Sequence, residues 1–183
     1  MRILHLTEKD YKTSCWSGGT TTELFIWPAG ADYSKREFSF RVSSAAVELA
    51  ESDFTTLPGV ERWITPISGG FTLTHPGKPP VVMAPLAEPY PFSGEEATHC
   101  VGMATDFNLM LKGTSGKMCI CQGNAAVMPG FNCFYALSDA VFHLEGAHRM
   151  AAGDLLVVFS RQNAMITLGN EPVIVCYAAT DSF

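Results

Sequence analysis

Three short stretches carry residue types that recognise small polar molecules. In Trp16-Ser17-Gly18-Gly19-Thr20-Thr21-Thr22-Glu23, two glycines precede three hydroxyls and a carboxylate. Glycines let backbone N–H groups approach a ligand closely. The Gly18-Gly19 backbone, Thr20, Thr22 and Glu23 can then orient it, with Trp16 as an apolar wall. The same residues also read as a glycine turn entering a strand at Leu24, with the threonines facing solvent. The stretch lacks the Gly-Lys-Ser/Thr ending of a phosphate loop.

The second stretch is Leu57-Pro58-Gly59-Val60-Glu61-Arg62-Trp63. An arginine on a strand leaving a Pro-Gly turn can clamp a carboxylate through two parallel N–H bonds. The alternative is a surface Glu61–Arg62 pair worth ~0–1 kcal/mol. Arg41 stands in the alternating run Phe38-Ser39-Phe40-Arg41-Val42-Ser43, sharing a face with Ser39 and Ser43 that is either solvent or a barrel lumen. In the third stretch, Asp106-Phe107-Asn108-Leu109-Met110, alternation puts Asp106, Asn108 and Met110 on one side. Turned inward, they form a polar island that needs internal or ligand hydrogen bonds, at ~1–3 kcal/mol for each group left unsatisfied. A simple Asp–Asn turn at a strand entrance is the competing reading.

Metal and nucleophile chemistry find little support. The five histidines, His5, His75, His99, His143 and His148, include no His-x-His pair, so neither a metal site nor a cofactor is expected. No Gly-x-Ser-x-Gly elbow occurs, and no catalytic residue is assigned. Of the six cysteines, Cys119 and Cys121 form Cys-x-Cys, which on a strand puts both thiols on one face. Without a second ligand pair, the cysteines read as reduced thiols acting as small hydrophobes, which fits the cytoplasm.

Short strands must position these residues. Sixteen glycines and eleven prolines interrupt the chain too often for many long helices; at most one or two short helices are expected, one near Thr7 to Tyr11. Runs such as Phe71-Thr72-Leu73-Thr74 and Val141-Phe142-His143-Leu144 alternate. Leu24 to Trp27, Leu155 to Phe159 and Val173 to Cys176 read as more deeply buried strands. This predicts an all-β sandwich or barrel. A faint repeat, a strand and turn leading to Met-Ala and then a strand closing on Phe, occurs around residues 83–92 and again around 150–159. It divides one unit of 1–183 into two similar halves, about 1–112 and 113–183, joined by Gly113-Thr114-Ser115-Gly116-Lys117. With 47% hydrophobic residues, 16% charged residues and a net charge of −6, the chain reads as compact and globular. Its twelve scattered basic residues argue against a nucleic-acid partner. The N-terminus meets Glu8-Lys9-Asp10 too early for a signal-peptide core, and no run reaches the ~20 apolar residues of a spanning helix. No membrane association is therefore expected.

The three stretches, with Trp27-Pro28-Ala29-Gly30-Ala31-Asp32 and Phe40 to Ala45, resemble the HutD/Ves family in order and spacing over residues 10–112. That family shows a Trp-x-Asn-Gly-Gly-Gly-x-Thr-x-Glu-like stretch, a Phe-x-x-Phe-Pro-Gly-x-Asp/Glu-Arg segment and an Asp-Phe-Asn-Leu/Ile-Met block. The resemblance implies a double-stranded β-helix, or bicupin, without metal, and a pocket in the first half suited to a small carboxylate. Members encoded with histidine-utilisation genes are thought to bind an intermediate such as N-formylglutamate or urocanate and to limit the pathway; others are linked to stress responses. The expectation is a binding protein for a small carboxylate or formamide-like metabolite, using Trp16, Gly18, Gly19, Thr20, Thr22, Glu23, Arg41, Arg62, Asp106, Asn108 and Met110. The alternative is a metal-independent isomerase or lyase with Glu23 or Asp106 as general base. Exposed cupin sheet edges often pair, which leaves a homodimer open.

Overall fold

A computed structural model describes residues 1–180. The chain divides into two compact units, one from Lys12 to Gly113 and the other made of Met1–Tyr11 with Thr114 onward. Residues 1–11, placed with the first half on sequence grounds, thus belong with the second. The reason is pairing: β1 (Arg2–Leu6) lies antiparallel to β16 (Leu155–Ser160), Ile3 opposite Val158. His5 Nε2 also lies 2.7 Å from Asp154 Oδ2 at the turn preceding β16.

The Lys12–Gly113 unit contains two antiparallel sheets. Strands β2 (Lys12–Trp16), β3 (Gly19–Trp27), β4 (Phe40–Val47), β11 (Ala104–Lys112), β6 (Val60–Gly69) and β9 (Tyr90–Ser93) form the larger, in that order. Strands β5 (Glu51–Asp53), β10 (His99–Val101), β7 (Phe71–Thr74) and β8 (Val81–Met83) form the smaller. Ile64, Leu73, Phe92 and Cys100 pack one core cluster, and Phe38, Leu57, Val60 and Met110 a second. Leu24 to Trp27 is less buried than its composition implies: only Leu24 is fully enclosed, because β3 has only the exposed strand β2 beyond it.

In the other unit, β1, β16, β13 (Gly130–Ala136), β17 (Ala164–Ala178), β14 (Ala140–His143) and β15 (Ala147–Met150) form one sheet, and β12 (Gly116–Val127) pairs with β17 alone. Every residue of β16 is buried, as are Val173 to Cys176, so the continuous apolar runs are core strands. The two units share a wiring pattern. In one, β6 lies between β9 and β11, with the β7–β8 hairpin intervening in sequence. In the other, β13 lies between β16 and β17, with the β14–β15 hairpin intervening. The sequence repeat closing on Phe92 and Phe159 marks the equivalent strands β9 and β16. Among the described residues, helix is limited to two 3₁₀ turns, Glu8–Asp10 and Tyr33–Lys35. No helix among them is long and apolar enough to cross a membrane.

His75 follows β7 with its side chain wholly enclosed, its ring 5.7 Å from that of Tyr90 and 5.4 Å from that of Phe92. Nδ1 lies 3.2 Å from Thr98 Oγ1, while Nε2 has no partner. Burial lowers the His75 pKa from 6.5, and Glu96 at 3.5 Å opposes this. A histidine with a depressed folded pKa contributes stability above its unfolded value and loses it as pH falls below about 6.5. We expect the urea-unfolding free energy of His75→Phe to gain on that of the parent as pH falls below about 6.5, by at most about 1.4 kcal/mol per pH unit.

Candidate functional site

Strand alternation aims one face of β3, β4, β11 and β6 at the interior, and the strand register arranges its side chains in rows. Arg62, Met110 and Arg41 form one row across the sheet. Ile64, Asn108, Ser43 and Glu23 form the next, and Pro66, Asp106, Ala45 and Thr21 the third. The segment from Ser52 to Leu57 and Tyr33 of the second 3₁₀ turn complete the walls of a cavity of about 330 Å³. Its lining includes Trp16, Arg41, Arg62, Asp106, Asn108 and Met110, all expected from sequence.

Arg62 is the least compensated group here. It is only 7% exposed, yet no carboxylate among the described residues forms an ion pair with it. Its Nη2 reaches Asn108 Oδ1 at 3.5 Å, too long for a strong bond, and Nε has no partner. The guanidinium carbon lies 4.8 Å from the centre of the Phe54 ring and 5.0 Å from that of Phe92, so aromatic faces steady the cation without neutralising it. Burial lowers its pKa, but a guanidinium remains charged at neutral pH. The surface Glu61–Arg62 alternative fails because adjacent strand residues face opposite ways: exposed Glu61 instead accepts a bond from Trp63 Nε1 at 2.8 Å.

Arg41 is held differently. Nε donates to Glu23 Oε2 at 2.7 Å and Nη1 to Ser43 Oγ at 3.0 Å, while its guanidinium carbon sits 4.1 Å from the Tyr33 ring centre. Arg41 therefore carries its own counterion, and Glu23 faces an adjoining recess with Lys12, Asp32 and Tyr33. Asp106 is buried, and Asn108 Nδ2 donates to its Oδ1 at 2.5 Å. Loss of hydration raises the Asp106 carboxyl to about 7, against the lowering pull of Arg62, Asn108 and the Ala45 backbone. The island anticipated at Asp106 and Asn108 is thus a real inward-facing pair.

Five expected contributors do not line the cavity, and one of them, Glu23, faces the adjoining recess instead. Thr20 and Thr22 alternate to the far face, where Thr22 bonds Thr13 at 2.9 Å between hydroxyl oxygens. With Glu23 on the inner side, Thr21 must share its face, so Thr21 takes the lining place. Gly18 serves the Trp16 ring, since a Cβ there would lie 2.2 Å from a ring carbon. Gly19 serves strand pairing: its φ is +148°, and a Cβ would come within 1.9 Å of the Ala46 carbonyl oxygen. Gly19→Ala should therefore cost more than about 2 kcal/mol by urea unfolding, through broken β3–β4 pairing. Tyr33 and Phe54 were missed because they reach the cavity only through tertiary folding, although the parity of Glu23 was a usable signal for Thr21.

Two similarly wired units of antiparallel strands, one carrying a polar cavity on its inner face, define a cupin-fold protein. The chain belongs to the HutD family, whose model matches residues 8–175. It is similar in fold to the conserved protein of unknown function PA5104 from Pseudomonas aeruginosa PAO1, at 22% identity and a TM-score of 0.82 over all of both chains. HutD from Pseudomonas fluorescens SBW25 (formate condition) matches at 22% identity and a TM-score of 0.81, over 98% of this chain and 100% of that one. The bacterial pirin YhhW from Escherichia coli, at 8% identity and a TM-score of 0.66, covers 99% of this chain and 100% of its own. Among the described residues no group of three His, Cys, Asp or Glu is placed to hold a metal ion.

Proposed function

We propose that the Lys12–Gly113 unit binds a small carboxylate or formamide-bearing acid without a metal, in a regulatory rather than catalytic role. The observation that carries this reading is Arg62, a buried cation whose Nε has no hydrogen-bond partner and which forms no ion pair with a carboxylate among the described residues. Leaving a charge in that state costs several kcal/mol, which a bound carboxylate offsets by supplying the missing charge and acceptors. Asn108 and Asp106 stand in the adjacent rows for a neighbouring amide or hydroxyl, and Trp16, Tyr33 and Phe54 provide apolar wall. A volume of about 330 Å³ suits a metabolite rather than a polymer. HutD membership supports a ligand drawn from the acids of histidine utilisation.

The test is a thermal-shift and calorimetric screen of formate, glutamate, N-formylglutamate, urocanate and divalent metal salts. One acid held at 100 times its dissociation constant should stabilise the protein by about 2.7 kcal/mol. Silence with every acid, or an equal response from Arg62→Met, refutes the assignment. Asp106 at about 7 favours a second reading, a general base in a metal-independent isomerase or lyase. Glu23 is less suited to that work, since Arg41 already holds it. Turnover of a bound acid that Asp106→Asn abolishes would favour this reading; binding without turnover sinks it.

A further inference from the structure

We propose that Cys119 and Cys121 form a redox-active dithiol, which a low-molecular-weight disulfide converts to an intramolecular disulfide. The two lie on one face of β12, two residues apart, with their sulfurs 3.6 Å from each other. Both are half-buried, on a strand that among the described residues pairs only with β17, whereas Cys133 and Cys176 are enclosed in core. Lys117 shares the strand parity and adds positive charge. The ladder slips between Cys121 and Gly123, and Gly123 has φ +73°, so a bulge adjoins the pair. Bulged backbone can bend locally, as closing the sulfurs to the ~2.05 Å of a disulfide requires.

The chemistry assigns the two thiols different parts. A hydrogen bond from Cys119, opposed by desolvation and helped by Lys117, lowers the Cys121 thiol to about 7, and the same bond pushes Cys119 upward. Cys121 is therefore the attacking thiolate. Its sulfur attacks one sulfur of the small disulfide; that S–S bond breaks, and the departing thiolate takes up a proton. Cys119 then gives its proton to solvent and attacks the Cys121 sulfur of the mixed disulfide, expelling the second small thiolate, which is protonated in turn. Two protein thiols are oxidised and one small disulfide is reduced to two thiols, with no other oxidant. Burial raises the Cys133 and Cys176 thiols, so those two stay inert.

The experiment treats the full chain with glutathione disulfide at pH 7, alkylates the remaining thiols and weighs the resulting peptides. The peptide holding Cys119 and Cys121 should lose two hydrogens and refuse alkylation. It should react about threefold or more faster than exposed Cys15, which can only gain glutathione. Cys119→Ser should trap glutathione on Cys121, and Cys121→Ser should remove the fast reaction. Glutathione adducts without the internal cross-link, or a reaction no faster than that of Cys15, overturn the proposal. The wild-type measurement is decisive even if a variant fails to fold.

Discussion

Arg62→Met sharply weakens carboxylate binding and leaves the protein as stable as the parent, or more so. The two halves of that result have one cause. A carboxylate on a buried guanidinium gains charge-assisted, two-point bonds, and truncating one partner of such a pair typically costs ~2–5 kcal/mol. At about 1.4 kcal/mol per decade, affinity falls roughly 30-fold to several thousand-fold. Without ligand, however, Arg62 is a buried charge with an unbonded Nε and only a 3.5 Å contact to Asn108. A methionine fills similar space against Phe54 and Phe92 and requires no desolvated charge. Removing Arg62 also withdraws the pull that lowers the Asp106 pKa, but Asp106 titrates near neutrality already and becomes protonated at little cost. Calorimetry and urea unfolding read the two halves separately. Arg62→Lys keeps the charge but loses the planar fork, and should retain only part of the affinity. A variant that loses stability and affinity in proportion would make Arg62 a structural residue.

Asp106→Asn removes the pH dependence of binding and raises stability at neutral pH. Above about 7 the Asp106 carboxylate repels a bound acid across the cavity; below it, the neutral carboxyl can donate a hydrogen bond to the ligand. Parent affinity should therefore fall as pH rises through 7, by up to about tenfold per unit, while Asp106→Asn stays flat. The stability effect follows from the direction of the shift. A folded pKa raised above the ordinary 3.8 contributes stability present below that value and lost as pH climbs through about 7. Over about 3 units at 1.36 kcal/mol each, the loss reaches roughly 4 kcal/mol, which the asparagine avoids. His75 titrates with the opposite sign in part of this range, losing stability below about 6.5. The parent curve is thus the flatter sum of two slopes, and each variant exposes one of them. A parent whose affinity does not change between pH 6 and 8 would show that Asp106 does not face the bound acid.

The readings that survived are those resting on period and residue type. Phe40-Arg41-Val42-Ser43 and Asp106-Phe107-Asn108-Leu109-Met110 alternate with period two, and each sends its polar members to one face. The same rule excludes a shared face for Thr20, Thr22 and Glu23 and selects Thr21 beside Glu23. For Gly18 and Gly19, glycine marks close approach without naming the neighbour; that neighbour is the Trp16 ring in one case and the Ala46 carbonyl in the other. Six cysteines read as buried hydrophobes divide into three buried, two half-buried and one exposed, because burial depends on which sheet face each strand turns inward.

Strand content, the repeat ending at Phe92 and Phe159, and the polar parity of β4 and β11 were therefore determined by the sequence alone. These features depend on local backbone geometry and on the order of apolar and polar residues. Tertiary structure decided the rest. It placed residues 1–11 with the second unit, because only long-range pairing gives β1 its partner in β16. It turned the Arg41, Asn108 and Arg62 faces toward a cavity rather than solvent, because alternation defines two faces without saying which one is covered. It also gave Arg41 an ion-pair partner and left Arg62 with none among the described residues: Glu23 and Ser43 stand beside Arg41 across and along the strands, whereas Phe54 and Phe92 surround Arg62. Two arginines alike in sequence thus differ in chemistry, since charge compensation depends on neighbours that only the folded chain brings together.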